Sequence, residues 1–226
     1  MKFIKFGIIS FMLLNYFALG CATAPRQLSN IPSNSLSKFD QELFKRAIFH
    51  QKKGQIDPAI VLWERFLQKK PNSFPAKNNL GLLYYANDDI TRAIYYFEQG
   101  LKLRPAEVQL KMNLVRALKI QSAIFEENME YHEAIMDLRK IIRLSPVEER
   151  EAIERQVEAL EDQVFEQVKK SNRMEEYQEF LKKYPQSIGN SDEARLWIKN
   201  KLQGETMNNQ NTLSSNSHSG LETESR

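Results

Sequence analysis

One cysteine, three histidines and a cluster of glutamates are the side chains of this 226-residue chain that could do more than pack. Cys21 is the only cysteine, so no disulfide can close within the chain, and any folded part must hold by packing alone. His50, His132 and His218 fall on separate segments, and no Glu-x-x-His or His-Glu-x-x-His sets a second ligand one helical turn away. Glu126, Glu127, Glu130 and Glu133 read as a solvated helix face rather than a pair of catalytic carboxylates. Of the eight glycines, the closest two, Gly7 and Gly20, are thirteen apart, which leaves no glycine-rich loop for a phosphate or dinucleotide. The sequence therefore predicts no catalytic residues, no metal site and no cofactor. What remains is binding.

Any binding surface has to be built on elements set by the stretch Phe74 to Glu107. Counting Phe74 as position 1, Leu80, Gly81 and Tyr84 stand at positions 7, 8 and 11, Ala93 and Phe97 at 20 and 24, and Gly100 and Pro105 at 27 and 32. Gly81 and Ala93 allow two helices to approach closely, Leu80, Tyr84 and Phe97 fill the space around the contact, and Pro105 stops the second helix. Thirty-four residues earlier, Ala47, Ala59, Trp63 and Pro71 repeat the pattern, with Gly54 closing the first helix. A third unit opens at Met112-Asn113-Leu114-Val115 and closes through Ala134, Leu138, Ile141 and Pro146. From Pro105 to Pro146 is 41 residues rather than 34, and seven extra residues lengthen the first helix toward Glu127 by about two turns without rotating its core face far.

This pattern resembles the tetratricopeptide repeat. The resemblance implies an all-α fold, a short solenoid of helix-turn-helix repeats at 40–73, 74–107 and 108–148, the last with the seven-residue insertion. Beyond it, Ile153, Val157, Leu160, Val164 and Val168 make one apolar face of a helix over 147–170, and Tyr177, Phe180 and Leu181 follow on a shorter one ending at Tyr184-Pro185. Packing of the long helix within its own chain is favoured over dimerisation, because barely more than two heptads are apolar. These residues, 147–202, read as a degenerate fourth repeat and a capping helix that starts at Ser191 and ends at Leu202. The segment Phe180 to Ser187, with Ala194 after it, resembles repeat lipoproteins of the envelope, including those of the β-barrel assembly machinery. Residues 203–226, rich in Asn, Ser, Thr and Glu, are expected to be disordered.

The resemblance also implies where a partner would sit. In this family a concave groove is lined by one stripe of each first helix. Here that stripe is Phe44, Ile48, Gln51 and Lys52, then Asn78, Leu82, Tyr85 and Ala86, then Gln109, Met112, Arg116 and Lys119. It is apolar at its amino-terminal end and basic at the other, which suits an apolar or amphipathic segment of a protein or peptide. Phe44 and Ile48 stand where the family's clamp for acidic carboxyl termini needs Lys and Asn, so that ligand class is not implied. Either these two side chains face a ligand, or the tether or a rotated first helix covers them. Tyr95 and Tyr96 are expected on the convex surface or at a repeat junction, with Phe97 in the core.

At the amino terminus, basic residues Lys2 and Lys5 precede an apolar run from Phe6 to Leu19 that is too short to span a bilayer comfortably and reads as a secretory signal over 1–20. The ending Phe17-Ala18-Leu19-Gly20-Cys21 resembles a bacterial lipobox, with Ala18 where leucine is usual. That resemblance implies lipidation of Cys21, cleavage after Gly20 and acylation of the new terminus. Several acyl chains give a stable anchor where one is marginal. The polar, proline-broken residues 21–37 are a tether, and by the same resemblance Ala22 after the cysteine implies the outer membrane, facing the periplasm, over retention at the inner one, with the inner membrane or the cell surface as the alternative. Charge is weakly polarised, twelve Lys and Arg against seven acids over 38–105 and ten against thirteen over 147–202, too mild for a nucleic-acid role. The expected function is a scaffold for an envelope protein, similar to pilotins or barrel-assembly lipoproteins. The alternative is an adaptor that delivers substrates to a periplasmic protease or peptidoglycan enzyme.

Overall fold

The computed structural model describes residues 36–219, with side chains through Met207. Among them the chain forms nine helices and no strand: α1 (Lys38–Lys52), α2 (Ile56–Lys69), α3 (Phe74–Ala86), α4 (Ile90–Leu103), α5 (Val108–Glu127), α6 (Tyr131–Leu144), α7 (Val147–Ser171), α8 (Met174–Lys183) and α9 (Asn190–Ser219). Each packs chiefly on its neighbours in the chain, and α3 also touches α5. The signal, Cys21, most of the tether and residues 220–226 lie outside the described residues.

Local signals start and stop the helices in a repeating way. The Ser37 hydroxyl accepts the Asp40 N–H at 3.1 Å, Ser73 accepts from Ala76 at 3.4 Å, and the Asp89 carboxylate accepts from Arg92 at 3.0 Å. Four first helices end on a residue in the left-handed region, Gly54, Asp88, Met129 and Asn172, with φ of 68°, 58°, 62° and 51°. Four second helices end two residues before a proline. There the N–H groups of Lys70, Arg104, Ser145 and Tyr184 donate to the carbonyls of Phe66, Gly100, Ile141 and Phe180, at 2.9, 3.0, 2.9 and 2.8 Å. The four pairs are thus built on one plan, including α7–α8.

Inside a pair, size complementarity sets the spacing. A Cβ at Gly81 would lie 2.4 Å from the Phe97 ring, so the glycine makes room for an aromatic side chain rather than for bare backbone. Between pairs, a Cβ at Gly100 would lie 2.9 Å from Leu110, and thirty-four residues earlier the corresponding buried positions hold Phe66 and Ala76. Large and small exchange places from one junction to the next.

The extra residues of the third repeat lie within α5, which carries two overlapping registers. Leu110 is buried against Gly100 of α4, Leu114, Ala117 and Leu118 are buried further along, and Gln121, Ile124 and Phe125 approach the α3–α4 turn. Aligning α7 on Asn172 puts Leu160, Val164, Phe165 and Val168 where α3 has Ala76, Leu80, Gly81 and Tyr84. Phe165, absent from the apolar face read in the sequence, is fully buried, 4.8 Å from Phe180 and 6.0 Å from Tyr177. The contacts of α6 with α7 and with the residue that ends α8 are polar as well as packed. Buried Tyr184 has its hydroxyl 2.6 Å from His132 Nδ1, and Arg139 pairs with buried Glu161 at 2.7 Å.

Two expectations about the last helix need correcting. It starts at Asn190, and the Ser191 hydroxyl donates to the Tyr184 carbonyl at 2.8 Å instead of capping the helix. It also runs past Leu202 to Ser219, across most of the segment expected to be disordered. The docked turn, where Trp197 stacks on Tyr177 at 4.0 Å, supplies the costly nucleus. No proline interrupts propagation after it, and Gly204 has open space around it.

Candidate partner-binding surface

The stripe of first-helix residues divides into a part the fold already uses and a part that faces outward. On α1, the half-buried Phe44 ring lies edge-on to Trp63 at 5.0 Å and near Phe66 at 5.6 Å. The Gln51 side-chain oxygen accepts the Trp63 indole N–H at 3.1 Å, and Ile48 is half-buried against the same core. Lys52 is exposed. Phe44 and Ile48 are thus partly covered by the core of their own repeat, and most of the tether lies outside the described residues.

On α3, Leu82 and Tyr85 are half-buried against the core and Ala86 is exposed. The Asn78 side-chain oxygen accepts from Asn113 Nδ2 at 2.9 Å, which ties α3 to α5 across a repeat junction. On α5 the stripe opens to solvent. Met112 is 43% exposed, with Gln109 Nε2 3.9 Å from its sulfur. Arg116 and Lys119 are exposed and have no carboxylate partner among the described residues.

Asn79, not among the predicted site residues, belongs to this region. It is buried, and its amide nitrogen has no hydrogen-bond partner among the described residues. The repeat explains why. Asn113 corresponds to Asn79 and Asn78 to Phe44 at the same 34-residue offset, so the acceptor that satisfies Asn113 is replaced, one junction earlier, by an aromatic ring. The signal was present in the Asn-Asn pair at 78 and 79 followed by Asn113.

A polar network stiffens the wall behind the stripe. The Tyr84 hydroxyl donates to Glu64 at 2.7 Å and lies 3.3 Å from Arg92, whose guanidinium sits 4.4 Å over the Tyr84 ring. Burial first, and then the Glu64 acceptor, push the Tyr84 phenol up to about 12. Tyr96 stacks on Tyr84 while Tyr95 is exposed, so only the former sits in a packed contact between helices. Among the described residues no three His, Cys, Asp or Glu are grouped to hold a metal, and no helix is long and apolar enough to cross a membrane.

Residues 43–73 match the tetratricopeptide repeat family. The chain is an all-α solenoid of helical repeats, and no enzyme family is indicated. Solved structures similar to it include the MamA protein, at 20% identity over 76% of this chain and 94% of that one, with a TM-score of 0.41. Another is the first tetratricopeptide domain of Spaghetti (RPAP3) bound to the HSP90 peptide SRMEEVD, at 15% identity over 52% of this chain and 92% of that one, TM-score 0.38. The tetratricopeptide domain of P58(IPK) is similar at 13% identity over 71% of this chain and 45% of that one, TM-score 0.44. A comparison with curated proteins returns no match.

Proposed function

We propose that this chain is a lipid-anchored scaffold that binds a segment of another envelope protein on the concave face of α1, α3 and α5 and helps assemble a multiprotein complex. The observation that carries the binding site is the outward-facing end of the stripe, where exposed Met112 lies on the same helix as the unpaired Arg116 and Lys119. Leu82 and Tyr85 on α3 extend it as an apolar floor. A partner segment that lays apolar side chains on Met112, Leu82 and Tyr85 and an acidic group near Arg116 and Lys119 suits this arrangement. The anchor rests on Gly20-Cys21 after the apolar run, and the outer membrane facing the periplasm is its proposed site.

The test uses the full-length chain in a diderm bacterial host, with a photo-crosslinking residue at Met112 or, as control, at the exposed second-helix residue Val61. Crosslinks to one envelope protein from Met112 and none from Val61 are expected. Fatty-acid labelling and membrane sedimentation of the wild type are both expected to be lost in Cys21→Ser. A Cys21→Ser chain that still labels and sediments would remove the anchor, and equal crosslinking from both sites would remove the groove.

A further inference from the structure

The seven-residue insertion creates a second surface. Met129 and Asp88 both end first helices in the left-handed conformation, and counting back from them sets Gln121, Ile124 and Phe125 of α5 where α3 has Leu80, Leu83 and Tyr84. Those α3 residues are buried, at 0%, 4% and 3% exposure, whereas Ile124 is 47% exposed. The start of α5 already packs on α4, with Leu110 against Gly100, and Leu114, Ala117 and Leu118 are buried after it. The last two turns extend beyond that contact and face the α3–α4 turn instead. Between them lies a cleft of about 450 Å³, with Ile90, Ile124 and Phe125 as its apolar walls and Asp88, Thr91 and Gln121 among its polar ones.

Its charge is one-sided. The Asp88 carboxylate has no partner among the described residues, Glu127 is exposed one turn from Ile124, and Asp89 is held by Arg92. Among the described residues no Lys or Arg lines the cleft. The carboxyl ends of α3 and α5 lie beside it, and the amino end of α4, which also lines it, is capped by the Asp89 carboxylate.

We propose that this cleft docks a partner-protein segment that lays an aliphatic side chain on Ile124 and Phe125 and presents a lysine or arginine to Asp88 and Glu127. Such a segment differs in sign from the one that suits the concave stripe, where Arg116 and Lys119 repel cations. The two surfaces thus select opposite partners, or opposite parts of one.

Matched helical peptides separate the two readings, one of Leu and Lys, the other with Glu in place of Lys, each titrated into methyl-labelled full-length chain and followed by NMR. The Leu/Lys peptide is expected to shift Ile124 and Thr91 and leave Met112 unmoved. Ile124→Ser should weaken its affinity about tenfold, and Asp88→Asn, which keeps the left-handed conformation accessible, by a smaller factor that vanishes at high salt. Circular dichroism melting checks that both variants remain folded. Shifts centred on Met112, equal binding of the two peptides, or no binding of either would overturn the proposal. None of these outcomes bears on crosslinking at Met112, so failure here is distinct from failure of the concave-face reading.

Discussion

At the residue scale, the buried amide of Asn79 shows how one repeat position can be stabilising in one unit and costly in the next. Asn113 and Asn79 are equivalent, yet only Asn113 has an acceptor, because Asn78 stands before it and Phe44 stands before Asn79. A net hydrogen bond contributes about 1 kcal/mol, and an unsatisfied buried group costs about 1–3 kcal/mol. Asn113→Ala is therefore expected to destabilise the chain by about 1 kcal/mol, while Asn79→Ala leaves stability within about 0.5 kcal/mol of wild type or raises it. Denaturant unfolding of both variants decides this, and equal losses would mean that Asn79 has a partner. The sequence made the core positions of this region legible, since Leu80, Tyr84, Ala93 and Phe97 are all buried. It did not show that Phe44 and Gln51 turn inward to Trp63, because spacing gives a helical face but not which neighbour reaches it.

At the element scale, the four left-handed turns differ in what they demand. Gly54 adopts its φ of 68° without steric cost and Asp88 and Asn172 with little, but Met129 is a long side chain at φ 62°, exposed at the end of α5. Met129→Gly should relieve that strain and raise stability by about 0.5–1 kcal/mol, net of the entropy glycine adds to the unfolded chain. Asp88→Gly should gain less, because aspartate tolerates this conformation. Thermal melting of the two variants measures the difference, and a fall in melting temperature for Met129→Gly would show that its side chain contributes packing. Helix ends were legible from Pro71, Pro105, Pro146 and Pro185. The reach of α9 to Ser219 was not, because composition speaks for an isolated segment, whereas a docked helix supplies its own nucleus. Nor was the role of Phe165, since the apolar face of α7 drifts along its 25 residues as its packing partner changes from α6 to α8.

At the scale of the whole molecule, four helix pairs and a docked ninth helix make a nearly one-dimensional stack, in which each unit is held by its neighbours. The helix α5 departs from that regularity in two ways, by carrying the exposed part of the concave stripe and by overhanging the α3–α4 turn. Both proposed surfaces therefore sit on the insertion-bearing repeat, and its neighbours serve as a rigid frame. The central claim is that the concave face binds, and it is tested most directly by titrating the protein crosslinked through Met112 against variants of the full-length chain. Tyr85→Ala combined with Met112→Asp removes two apolar contacts, each worth roughly 1.5–3 kcal/mol when fully buried, and is expected to weaken binding at least tenfold, by about 1.4 kcal/mol or more, while circular dichroism stays helical. Val61→Asp, on a second helix, should bind as wild type. Wild-type affinity in the double variant, with binding lost in Val61→Asp, would contradict the account.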